Sequence, residues 1–242
     1  MEQLPLVLTP RLAYRPESYL LHSGVRYLHQ KVVNEILQER FSVMYIFGSH
    51  RSGKTHFSLR IALDASVKGI YPILVEGADL GREIEELENR SPIGADNLFI
   101  VDDVDDYFLG SDFTDSGAFV HLVECLRTRN ASLLLMSSRT ADSLPVDEHV
   151  RSRLLPGEGY VMGRPAEEEM LELLSVMAQQ RGIVLKERKW TYLLRRLQLD
   201  IPSIERFLDR LLQLSNGQEK TVRYSMLRDA LLFSGPEKAG GS

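Results

Sequence analysis

One cysteine and one tryptophan stand in a chain of 242 residues. The lone Cys125 leaves no partner for an intrachain disulfide and suits a reducing compartment, where its simplest role is that of a small buried hydrophobe on a helix. No apolar run approaches the ~18 residues of a membrane-spanning helix. The short apolar start, Met1 to Leu8, carries an acid at Glu2 where a signal peptide would carry bases. The expectation is therefore a cytoplasmic protein without a leader or a membrane segment. Excess positive charge is missing as well. Against 29 Lys and Arg stand 34 Asp and Glu, a net charge of −5, so no global field draws the chain to nucleic acid or to an anionic membrane. What is present is ordinary for a soluble globular protein, 43% hydrophobic and 26% charged, long enough for one large domain or two smaller ones.

Hydrophobic patterning divides the chain. Short β-prone runs at 43–47, 71–75, 97–101 and 131–136 alternate with helical stretches at about 55–67, 81–89 and 116–128. Strands alternating with helices imply an α/β fold with a parallel sheet covered on both faces, and ligands in such folds sit at the carboxyl ends of the strands. After Gly163-Arg164-Pro165 the character changes. Pro165 is expected to start a helix at its favoured first position, with Glu167, Glu168 and Glu169 in the first turn matching the dipole. That helix should run to about Gln180, followed by helices near 187–197, 202–214 (closed by Asn216-Gly217) and 221–232. The expected layout is an N-terminal peptide at 1–14, an α/β nucleotide-binding domain at 15–164, a small all-α lid at 165–234 and a disordered Gly/Pro/Ser-rich tail at 235–242.

The polar residues after the strands carry the chemistry. Gly48, Ser49, His50, Arg51, Ser52, Gly53, Lys54 and Thr55 spell G-x-x-x-x-G-K-T between a strand and a helix, the pattern and context of a phosphate-binding P-loop. Its glycines let the backbone wrap phosphates with N–H groups inward, its lysine reaches the β- and γ-phosphates, and its threonine hydroxyl ligates magnesium. His56 opens the following helix, whose positive end faces the same phosphates. ATP or ADP with Mg2+ is the implied ligand. Asp102-Asp103, after four apolar residues and about 50 positions later, match a Walker B element: one carboxylate orients the metal and the second positions the attacking water. Asp105 and Asp106 are expected to be solvated loop acids. Ser138, or its neighbour Ser137, ends the next strand and could bond the γ-phosphate or the water, or simply close a turn. Arg153 is a candidate arginine finger, or a surface arginine.

Together these features resemble an AAA+ ATPase: the P-loop, the Asp-Asp pair, a polar residue after the next strand, Arg151-Ser152-Arg153 and a helical lid. Within that group the chain is similar to the DnaA/Hda family, through Ser18-Tyr19-Leu20-Leu21, Phe99-Ile100-Val101-Asp102-Asp103-Val104 and Ser152-Arg153-Leu154, over about residues 15–232. The resemblance implies that Ser138 is the sensor-1 residue and Arg153 the arginine finger. It also places Leu20, Leu21 and His22 beside the adenine. The family's sensor-2 arginine falls on Pro202 here, and Arg206, one helical turn on, is the candidate substitute. The layout is closest to the Hda-like branch. No basic helix-turn-helix domain for double-stranded DNA is expected after the lid, and Gln3-Leu4-Pro5-Leu6-Val7-Leu8 resembles the branch's clamp-docking peptide, with Gln3, Leu4 and Leu6 as its anchors.

That resemblance implies a regulator of replication initiation that binds ATP or ADP, docks on the DNA polymerase sliding clamp, and offers Arg153 to nucleotide held by DnaA. Two other readings stay open. One is a self-assembling DnaA-like ATPase or loader acting on single-stranded DNA, a homo-oligomer through Arg153. The other is a nucleotide-binding adaptor without meaningful turnover, for which Pro202 is the motivating residue.

Overall fold

A computed structural model describes residues 19–36, 41–87, 93–110, 116–156, 158–215 and 222–232. Gln3–Leu8, the Asn216-Gly217 closure and the 235–242 tail lie outside the described residues. The chain forms two compact units, with the break between Glu169 and Met170.

In the first unit, helix α1 (Ser23–Glu35) precedes strand β1 (Val43–Phe47), followed by α2 (Lys54–Val67), β2 (Tyr71–Glu76), α3 (Leu80–Leu87), β3 (Asn97–Asp102), α4 (Val104–Leu109), α5 (Ser116–Thr128), β4 (Ser132–Ser137), α6 (Glu148–Leu154) and β5 (Tyr160–Val161). The strands pair in parallel in the order β2-β3-β4-β1-β5. The expected α/β class is what the structure shows. Alternation of side chains along each strand serves two cores. Met44, Ile46, Leu98, Ile100, Leu134 and Met136 bury against α1 and α2 on one face. Tyr45, Phe99, Val101, Leu133 and Leu135 bury against α3 to α6 on the other. Two covered faces explain why these strands are unbroken apolar runs.

The second unit is helical: α7 (Met170–Gln180), α8 (Glu187–Leu194), α9 (Ile201–Leu214) and α10 (Tyr224–Leu232). Its core gathers Leu174, Leu193, Ile204, Phe207, Leu208 and Leu227. One expectation fails at its entrance. Pro165 does not open α7; a short 3-10 turn at Glu167–Glu169 comes first and the helix begins at Met170. Glu169, the last residue of that turn, is engaged elsewhere. Its carboxylate accepts from the backbone N of Ser23 at 2.8 and 3.0 Å and from the Ser23 hydroxyl at 2.6 Å, capping α1 from 146 residues away. Pro202, by contrast, sits in the first turn of α9 behind an Asp200 cap, a position that tolerates its missing N–H.

Candidate functional site

The polar site is built where β1, β3 and β4 end. The chain leaves β1 at Gly48, whose N–H still bonds Ser137 O of β4 at 3.0 Å. It then turns through Arg51 (φ 61) and Gly53 (φ 93) into α2. Gly53 supplies a left-handed conformation that a side chain would strain. No side chain caps α2 and no acid stands in its first turn, so its N–H groups and dipole remain available to an anion. Ser49, His50 and Arg51 are exposed, while Ser52 and His56 are half-buried.

Lys54 is 6% exposed, unusually buried for a lysine. Its Nζ donates to Ser138 Oγ at 2.8 Å and to Gly48 O at 3.4 Å, and it meets Asp103 Oδ1 at 3.5 Å. The P-loop, the strand end after β3 and the strand end after β4 thus converge on one ammonium group. Asp103 adopts a left-handed backbone (φ 48) that turns the chain out of the sheet into α4. Gly77, just after β2, permits that turn: a Cβ there would stand 2.1 Å from Asp103 O.

Burial pushes the Asp102 carboxyl above its usual range, opposed by a hydrogen bond from the Thr55 hydroxyl. Its Oδ1 is buried with no hydrogen-bond partner. An orphaned, desolvated carboxylate oxygen beside a threonine hydroxyl fits a hard divalent cation that completes its shell with water and phosphate oxygens. Thr55 and Asp102 are therefore the residues that could hold Mg2+.

The segment expected beside the adenine runs into α1. Leu20 and Leu21 are half-buried and His22 is buried, with its Nδ1 unpartnered and its pKa pushed below the ordinary value chiefly by burial. One backbone bond and one side-chain bond connect this segment to the P-loop: Gly163 N bonds Gly24 O at 3.1 Å, and the neighbouring Met162 accepts from the Ser52 hydroxyl at its sulfur.

Arg153 lies on α6, where its Nη2 donates to Glu124 on α5 at 3.3 Å and its Nη1 to His149 O and Ser152 Oγ. It is half-buried in its own unit and takes no part in the Lys54 cluster. Arg206 belongs to the helical unit, on α9, where its Nη2 donates to Ser203 Oγ at 3.1 Å. Gln3, Leu4 and Leu6 lie outside the described residues.

The sequence reading missed Asp105. Far from being a solvated acid, it is 5% exposed, and its Oδ1 accepts from the Ser137 hydroxyl and the Ser138 N–H, each at 3.0 Å. Asp106 is exposed, as expected. Four aspartates within 102–106 look alike in sequence, and only the fold separates them. Cys125 is half-buried on α5 rather than fully inside. No described helix is long and apolar enough to cross a membrane.

No family model matches the chain. An uncharacterized protein of Haemophilus influenzae is 25% identical over 193 residues, covering 77% of this chain and 80% of that one. The chromosomal replication initiator protein DnaA of Thermus thermophilus is 28% identical over 195 residues, 75% of this chain but only 44% of the initiator's length. Among solved structures, domain III of the Thermotoga maritima replication initiation protein DnaA matches with a TM-score of 0.69 at 16% identity, covering 92% of this chain and 98% of that domain. AMPPCP-bound DnaA from Aquifex aeolicus matches with a TM-score of 0.63 at 22% identity, covering 86% of this chain and 67% of that one. The fold matches that of DnaA domain III, and the sequence is similar to DnaA over three quarters of this chain, which spans less than half of that initiator's length.

Proposed function

We propose that this DnaA-like AAA+ chain is a cytoplasmic, nucleotide-binding regulator of replication initiation, holding ATP or ADP with Mg2+ at the strand ends of its parallel sheet. The observation that carries the reading is the convergence of Ser138 and Asp103 on the buried Lys54, at 2.8 and 3.5 Å, in front of an uncapped helix N-terminus. A buried cation so placed is matched to phosphate oxygens. A related DnaA was solved with the nucleotide analogue AMPPCP, which supports the same class of ligand here.

In this reading the P-loop N–H groups and Lys54 would bind the phosphates, and Leu20 and Leu21 would flank the base. Thr55 and Asp102 would hold Mg2+, which lends positive charge to the phosphoryl oxygens when bound. Asp103 would orient the attacking water and Ser138 would bond the γ-phosphate side. Arg206 would serve in place of a sensor-2 arginine. The primary test is calorimetric titration with ADP and with a non-hydrolysable ATP analogue. Lys54→Ala should weaken both by about 100-fold; unchanged affinity would overturn the phosphate site.

The finer reading is Hda-like: Gln3, Leu4 and Leu6 dock on the sliding clamp and Arg153 reaches the nucleotide of a DnaA partner. A planar guanidinium supplied in trans stabilises charge developing in phosphoryl transfer, and such a finger accounts for large rate factors in other phosphoryl-transfer systems. Clamp pull-down should be lost in Gln3→Ala/Leu4→Ala, and stimulation of ATP turnover on DnaA should be lost in Arg153→Ala. Nucleotide-dependent oligomers with salt-sensitive binding to single-stranded DNA, and no clamp retention, would replace this with the self-assembling ATPase reading.

A further inference from the structure

The end of β4 poses a hydrogen-bonding problem. On one side β4 stays paired with β1 as far as Phe47↔Ser137, and Gly48 N extends that side by bonding Ser137 O. On the other side pairing with β3 stops at Val101↔Leu135, because Asp103 turns the chain away into α4. Ser138 N is thus left without a strand partner at the place where its hydroxyl must meet Lys54. That N–H, part-buried at the strand end, takes a side-chain acceptor in place of a strand carbonyl. Asp105 supplies it. Its Oδ1 takes the Ser138 N–H and the Ser137 hydroxyl, each at 3.0 Å, and Ser137 Oγ in turn accepts Arg139 N at 3.0 Å. From the opposite side the Tyr45 hydroxyl donates to Arg139 O at 2.8 Å. Residues 137–139 are therefore held from both sides, with a carboxylate standing in for the missing strand carbonyl.

We infer that Asp105 is a positioning residue that fixes the 137–139 turn and so sets the Ser138 hydroxyl against Lys54 at the terminal phosphate of a bound nucleoside triphosphate. This rests on the nucleotide-site reading above. Asp105 makes no bond to the P-loop itself among the described contacts; it acts through Ser138. Its burial separates it from Asp106, and its bonds to β4 separate it from Asp102 and Asp103, which face Thr55 and Lys54.

The test needs no turnover. Wild type, Asp105→Ala, Asp105→Asn, Ser137→Ala and Lys54→Ala are titrated with ADP and with a non-hydrolysable ATP analogue in Mg2+, and amide exchange is followed at 137–139. Loss of one well-placed bond to the terminal phosphate corresponds to about a tenfold change in affinity. Asp105→Ala should lower the ratio of analogue to ADP affinity by about tenfold, leave ADP affinity nearly unchanged, and speed Ser138 amide exchange by at least tenfold. Asp105→Asn keeps the acceptor oxygen and should restore both readouts. Ser137→Ala, which keeps the Ser138 N–H bond, should fall between, and it carries the test should Asp105→Ala fail to fold. An unchanged affinity ratio with a protected Ser138 amide overturns the inference. If Lys54→Ala abolishes binding in that same experiment, the nucleotide site stands and only the role of Asp105 falls. Wild-type affinity in Lys54→Ala would remove both.

Discussion

In the unit from Tyr19 to Glu169 the interior holds Lys54, Asp105, Ser58, Ser132, Ser137 and His22; in the helical unit the buried polar residues described are Ser203 and Ser215. The two serines answer local needs of helix ends: Ser203 bonds the Asp200 cap of α9, and Ser215 returns its hydroxyl to Leu212 O. Several polar residues of the first unit answer to one another across distant segments, as Lys54 does with Ser138 and Asp105 with Ser137. Burying charge costs stability unless a specific arrangement recovers it. A cluster of such groups at strand ends is what a ligand site requires, whereas an all-apolar interior is what stability alone requires. The difference sets a candidate ligand site in the first unit against a mainly apolar interior in the second, and it can be attacked from both sides.

The largest effect is expected from packing. Phe207 is fully buried in the helical core with Leu174, Ile204 and Leu211, and Phe207→Ala should cost about 3–5 kcal/mol in urea unfolding followed by circular dichroism. A loss under ~1 kcal/mol would mean that this core collapses freely around the gap and that packing does not define the unit. Next is Gly77→Ala, which joins packing to the site. The new Cβ would stand 2.1 Å from Asp103 O and 3.1 Å from Val104 Cα, both backbone atoms, so the β3–α4 turn must shift. A stability cost of about 1–3 kcal/mol is expected. Asp103 should move from Lys54, and nucleotide affinity should fall with it. Intact affinity in a destabilised Gly77→Ala protein would show that the turn can move without disturbing the Lys54 cluster.

What the sequence made legible follows the same division. The strands at 43–47 and 97–101 were readable because their signal is local, an apolar run with a fixed period, and the glycine spelling after the first likewise marked the connection between β1 and α2. The helical unit was readable in its helices but not in its start, since the charge pattern at Glu167–Glu169 fits a first helical turn equally well whether or not Glu169 is used by α1. Strand β5 has only two residues, too short for any alternation to show. Helix α6 did carry a usable signal, Asp147 accepting from Val150 N as a cap, with Pro145 just before it. Asp105 carried none. Its burial is decided by Ser137 and Ser138, more than 30 positions away, and no local pattern distinguishes an acid that will be enclosed from one that will stay wet.

The smallest effect tests a polar contact of the first unit that serves structure rather than ligand. Glu169 accepts from Ser23 and from Ala166 N, and these bonds, the Ser23 hydroxyl foremost, lower its carboxyl from an ordinary 4.5 to about 2. A depressed folded pKa means that the stabilisation is complete above pH 4.5, where both folded and unfolded chains are ionised. As the pH falls from 4.5 towards 2 the unfolded chain gains a proton that the folded one refuses, and the contribution drains away. Glu169→Gln has no such titration. The melting temperature of wild type should exceed that of the variant by about 2 °C at neutral pH, and the gap should narrow steadily below pH 4.5. A gap that stays constant from pH 6.5 to 3 would mean that shape and not charge secures the cap. Glu169 would then group with Ser203 and Ser215 as a residue of local geometry, and the ionised groups that matter in this unit would be those gathered around Lys54.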